Sequence, residues 1–187
     1  KEPVIISGSG IGGQTTCVCP ALGFTVPYKN RFLYVSDSFG TNYRSYENVW
    51  LKMLREDPQT KILWVVGSKS GSTDETMVNF QMQLKTMIRV WAKYLYYGKG
   101  KGIAKGLLTK LFDKKPLFEK TVSGPKLTNE EREILRKVFS NLVIVTGNWD
   151  GKEGSRLGQF IKESFLKDLY ADDNDKVVSI LMLDNLG

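Results

Sequence analysis

Hydrophobic positions fall into two alternating rhythms along the chain. Short apolar runs rich in β-branched and aromatic residues predict strands at 4–7, 32–36, 62–66, 142–146 and 177–183. Between them the period changes. "NYRSYENVWLKMLRE" places Tyr46, Val49, Trp50, Met53 and Leu54 at helical spacing, and "TMVNFQMQLKTMIRVWAKYL" continues the pattern through Val78, Met82, Met87, Val90, Trp91 and Leu95. "TNEEREILRKVF" opens with Thr128 and Glu131 three apart, the spacing of a capping box, and "GSRLGQFIKESFLKDLY" predicts one more helix. Strands alternating with helices predict an α/β fold, a three-layer αβα sandwich around a mainly parallel five-stranded sheet. With 187 residues, 41% of them hydrophobic, one domain spanning 1–187 is expected.

Charge changes the picture in one place. Between 93 and 126 stand nine lysines against Asp113 and Glu119, a net charge of +7 that equals the formal charge of the whole chain. No nucleic-acid motif accompanies these lysines, and Tyr94, Tyr96 and Tyr97 cluster at the start of the run rather than interleaving with it. The expectation is a solvated lysine-rich insertion over 97–127, dispensable for the fold, with no nucleic-acid partner. No apolar run reaches the roughly 20 residues that cross a bilayer, so a cytoplasmic protein without a membrane partner is expected. The chain contains no histidine, which removes histidine-dependent catalysis. Cys17 and Cys19, one residue apart, suit neither a zinc half-site nor a redox pair, so no metal and no cofactor are expected.

Two glycine-rich turns compete for the binding role. "GSGIGG" satisfies the dinucleotide spacing through Gly8, Gly10 and Gly13, with Asp37 ending the next strand. It lacks the following helix that would receive a pyrophosphate, because "QTTCVCPALGFTVP" brings β-branched residues and Pro20 into the first turns. "GSKSGSTDET" stands between a strand and the longest helical pattern, with Ser72 and Glu75 spaced as a capping box. Unpaired amide groups at a helix start favour an anion, and the hydroxyls of Ser68, Ser70, Ser72, Thr73 and Thr76 surround that point. No Gly-Lys-Ser/Thr follows, so the expected guest is a phosphomonoester rather than a nucleoside triphosphate.

These motifs resemble a known family. "SKSGSTDETM" resembles the phosphate loop of sugar isomerase (SIS) domains in the version found in glucose-6-phosphate isomerases, Ser-Lys-x-x-x-Thr-x-Glu-Thr. "GIGGQ" is similar to that family's Gly-Ile-Gly-Gly-Ser turn. "FGTN" matches its Asp-Gly-Thr-His segment in Gly40 and Thr41, and the closing "MLDNLG" resembles the approach to its Gly-Gly-Arg motif. The resemblance implies that Ser68, Ser70, Thr73 and Thr76 bind a hexose 6-phosphate through hydroxyls and Lys69 through its backbone N–H. Gly12, Gly13 and Gln14 would meet the sugar, Gln14 replacing the family serine with an amide, and Glu75 would lie near the active site.

The family moves a proton between C1 and C2 of an aldose or ketose through an enediolate, using a base and a nearby positive charge. Its arginine, base glutamate, histidine and late lysine follow the Gly-Gly pair, so this chain is expected to be the phosphosugar-binding part of a longer, dimeric isomerase. No catalytic residue is assigned within it, and alone it is expected to be inactive. A stand-alone phosphosugar-binding or regulatory SIS module is the alternative, and a dinucleotide-binding oxidoreductase domain is the third reading.

Overall fold

Trp64 shows how the core is assembled. Its indole stacks on Phe80 with ring centroids 5.0 Å apart and meets Phe139 at 6.4 Å, joining three segments distant in sequence. Its buried N–H donates to the side-chain oxygen of Gln83, so its one polar atom is satisfied. The computed structural model describes residues 4–9, 31–36, 43–68, 74–112, 126–140, 142–146, 157 and 178–182, with side chains for 46–64, 66–68, 74–112, 126–140, 142 and 157.

Within these residues the elements run β1 (Val4–Ser9), β2 (Arg31–Ser36), α1 (Tyr43–Glu56), β3 (Lys61–Gly67), α2 (Asp74–Leu95), α3 (Gly100–Phe112), α4 (Asn129–Phe139), β4 (Leu142–Thr146) and β5 (Val178–Met182). Strand backbones lie parallel in the order β2-β1-β3-β4-β5. The β1–β3 register pairs Gly8 with Val65 and Ser9 with Val66, so the two strands end side by side.

The expected three-layer αβα sandwich with a five-stranded sheet does not describe the molecule. Among the residues whose side chains are described, 74% are helical, and the only strand there is β3 and the first residue of β4, so helices and not a sheet layer build the packed core. Packing explains the difference. Helix α2 buries twelve residues spread around its circumference, from Thr76 to Ala92, where a helix lying on a sheet would bury a single stripe. α1, α3 and α4 all pack against α2, and its contacts with β1 and β3 are fewer. α2 is thus the axis of a helical assembly.

The lysine-rich segment supplies one of those helices, which corrects its reading as solvated. Ala104, Leu107 and Leu111 of α3 recur at intervals of three and four and are buried against the common core. α3 starts close to the end of α2. Gly98 adopts φ +80°, a left-handed turn that glycine takes without strain. The Gly100 N–H donates to the Tyr96 carbonyl at 2.6 Å. A methyl group added at Gly100 would fall 2.1 Å from the Ala92 carbonyl oxygen, so only glycine permits this approach.

α4 is fixed at its start by the anticipated capping box. The Glu131 N–H donates to Thr128 Oγ1 at 3.3 Å, and the Thr128 N–H donates to Glu131 Oε2 at 2.8 Å. The same carboxylate receives Lys110 Nζ of α3 at 2.6 Å, so one buried acid both caps α4 and ties α3 to it. Lys93 of α2 does the same toward α1, pairing with buried Glu47 at 2.5 Å. Among the described residues no helix is long and apolar enough to cross a membrane.

Candidate functional site at the amino end of helix α2

β3 ends at Gly67 and α2 begins at Asp74. Ser68 follows the strand directly and is buried. Thr76 lies in the first turn of α2 with its side chain fully enclosed, and Glu75 beside it is half-buried. Lys69, Ser70, Ser72 and Thr73, and with them the predicted Ser72–Glu75 cap, lie outside the described residues. So do Gly10, Gly12, Gly13, Gln14 and Asp37. Of the nominated phosphate-loop residues, Ser68 directly follows β3 and Glu75 and Thr76 open α2. Because β1 and β3 end together, the chain leaving Ser9 toward the first glycine turn starts one strand spacing, about 4.8 Å, from the strand that leads into Ser68.

The buried face of α2 carries a polar row of which the sequence motif marks only Thr76. Thr76, Asn79, Gln83 and Thr86 succeed one another at intervals of three, four and three and are all buried, so they share one side of the helix. The lower half is satisfied. Gln83 accepts from Trp64, and Thr86 Oγ1 donates to the Met82 carbonyl at 3.1 Å. The upper half is not: among the described residues Thr76 Oγ1 and Asn79 Nδ2 are buried without a hydrogen-bond partner. A buried polar group left so costs about 1–3 kcal/mol, and native structures hold few of them. Both occur in the two turns nearest the hydroxyl-rich loop. Asn79 was visible in sequence as the polar interruption three residues beyond Thr76 in "TMVNF".

Electrostatics at this end are mixed. The amino end of the α2 dipole favours negative charge, and Asp74 and Glu75 already occupy its first turn. Among the described residues no group of three His, Cys, Asp or Glu side chains could hold a metal ion. Compared with known proteins, the chain matches no family model, no curated protein and no solved structure.

Proposed function

We propose that this chain binds a hexose 6-phosphate at the junction of β3 and α2, as the phosphosugar-binding part of an aldose-ketose isomerase of the glucose-6-phosphate isomerase type. The observation that carries the reading is the pair of unsatisfied buried polar atoms, Thr76 Oγ1 and Asn79 Nδ2, at the amino end of a helix that follows a Ser/Thr-rich loop. A phosphate oxygen or sugar hydroxyl would satisfy groups that the protein leaves unpaired, and Ser68 and the loop amides would share the phosphate. Thr76 is enclosed, so this reading requires its hydroxyl to become accessible on binding.

No residue of the chain is given a chemical step. The chain by itself should hold substrate without isomerising it, and a dimer in the cytoplasm is the setting that goes with the isomerase reading. Calorimetric titration with glucose 6-phosphate, inorganic phosphate and a nicotinamide dinucleotide is the test. Binding of glucose 6-phosphate, weakened about tenfold or more by Ser70→Ala or Thr73→Ala, is expected from loss of one charged hydrogen bond. Binding of the dinucleotide alone, lost in Gly10→Ala, would transfer the site to the first glycine turn.

A further inference from the structure

Residues of α1, α2 and α3 line an open cleft of about 610 Å³, within the size range of small-molecule sites. Its charge is one-sided. Lys85, Arg89 and Lys93 of α2 and Lys101 and Lys105 of α3 line it, against the single carboxylate of Glu47.

Two of the five cations are engaged. Lys93 is paired with Glu47, and Lys85 Nζ lies 4.5 Å from the centre of the Phe112 ring. Arg89, Lys101 and Lys105 have no acidic partner among the described residues. Lys101 and Lys105 stand one helical turn apart, an arrangement in which like charges repel. Ala104, Leu108 and Phe112 give the cleft an apolar wall, against which an ionic contact is screened less than on an open surface.

We propose that this cleft binds a small organic polyphosphate. Three unmatched cations on two helices call for a ligand with several negative charges along a short chain, where a monoester would leave part of the cluster uncompensated. Arg89 presents a planar fork suited to phosphate oxygens, and the two lysines add point charges from the facing helix. The site is separate from the sugar-phosphate junction, since Lys85 lies nine residues beyond Thr76, about 14 Å along the α2 axis. A nucleic-acid strand is the poorer match, because the cations converge on a cleft and the Phe112 face is covered by Lys85 where a base would stack.

Calorimetry of the chain with tripolyphosphate, ATP without metal, and myo-inositol hexakisphosphate tests the proposal and sorts linear from ring-borne phosphates. All arms are run at two salt concentrations. Tripolyphosphate is expected to bind, and Arg89→Gln/Lys101→Gln/Lys105→Gln to weaken it about a hundredfold or more, from the loss of charge-assisted hydrogen bonds. The matched variant Arg132→Gln/Arg136→Gln/Lys137→Gln removes the same charge from the exposed side of α4 and should change affinity by less than about threefold, as screening of distant charges implies. Circular dichroism checks that both variants keep their helices, and Arg89→Gln alone, expected to weaken binding about tenfold, serves if the triple variant unfolds. Three results would overturn the proposal: no binding of any polyphosphate to the unaltered chain, equal loss in the cleft and α4 variants, or a single-stranded oligonucleotide that tripolyphosphate does not displace.

Discussion

The two ends of helix α2 are opposites in how they treat polar groups. At its amino end, buried hydroxyl and amide groups of Thr76 and Asn79 lack partners among the described residues. Toward its carboxyl end, Arg89 and the facing lysines of α3 have no acidic partner among the described residues and stand close to an apolar wall. Between them the helix is an ordinary core element, with Phe80, Leu84, Met87 and Ile88 buried and Gln83 satisfied by Trp64. Unmet polar demand is therefore confined to the two ends, and each end is short of a different chemistry. The first lacks a few directed hydrogen bonds and the second lacks negative charge.

The largest expected effect tests whether the basic end is structural as well as charged. Replacing residues 98–124 with a flexible linker removes α3 and its share of the core, so cooperative unfolding should be lost or greatly weakened. Retention of the full transition in a denaturant titration would return α3 to the status of a solvated excursion. Gly100→Ala isolates the α2–α3 corner from the rest. The added methyl collides with backbone rather than with a movable side chain, so destabilisation of about 3 kcal/mol or more is expected in chemical denaturation, with the urea m-value unchanged.

The amino end is addressed by Thr76→Val. Valine keeps the shape and deletes an unpaired buried hydroxyl, so the unliganded chain should become more stable by about 1 kcal/mol while glucose 6-phosphate binding falls. Destabilisation would mean that Thr76 has a structural partner.

The smallest effect concerns the link between the α2–α3 corner and α4. The hydrogen bond from Tyr96 to the Glu133 carboxylate pushes the Tyr96 hydroxyl up to about 12 from its ordinary 10.0. The folded state therefore favours the protonated phenol. Its contribution is complete below pH 10 and lost as pH rises toward 12. Tyr96→Phe should flatten that part of the stability profile relative to the unaltered chain and leave it unchanged near neutrality apart from a constant offset.

Much of the element order was legible in the sequence, because period and boundary chemistry are local. "ILWVV" and "LVIVT" lie in β3 and β4, and the spacing of Thr128 and Glu131 anticipated a cap that forms with both hydrogen bonds. The architecture was not legible. Alternating strands and helices suggested helices spread over a sheet, but nothing local reveals that α2 is buried on several sides and gathers the other helices around it. In the segment read as an insertion, the density of lysines obscured the three-four spacing of Ala104, Leu107 and Leu111.

The candidate residues divide the same way. Ser68 and Thr76 were nominated from a motif and lie at the β3–α2 junction, with Thr76 unsatisfied there. Arg89, Lys101 and Lys105 are separated in sequence by an interhelical corner, and only the folding of α3 back onto α2 makes them neighbours.

Backbone amide chemical shifts, followed while glucose 6-phosphate is added to the chain, show residue by residue whether the amino end of α2 holds the sugar phosphate. Saturable shifts concentrated in residues 67–79 are expected, with residues 85–105 unmoved until tripolyphosphate is added. Shifts that appear first among 85–105, or that are absent from 67–79 at millimolar glucose 6-phosphate, would contradict it.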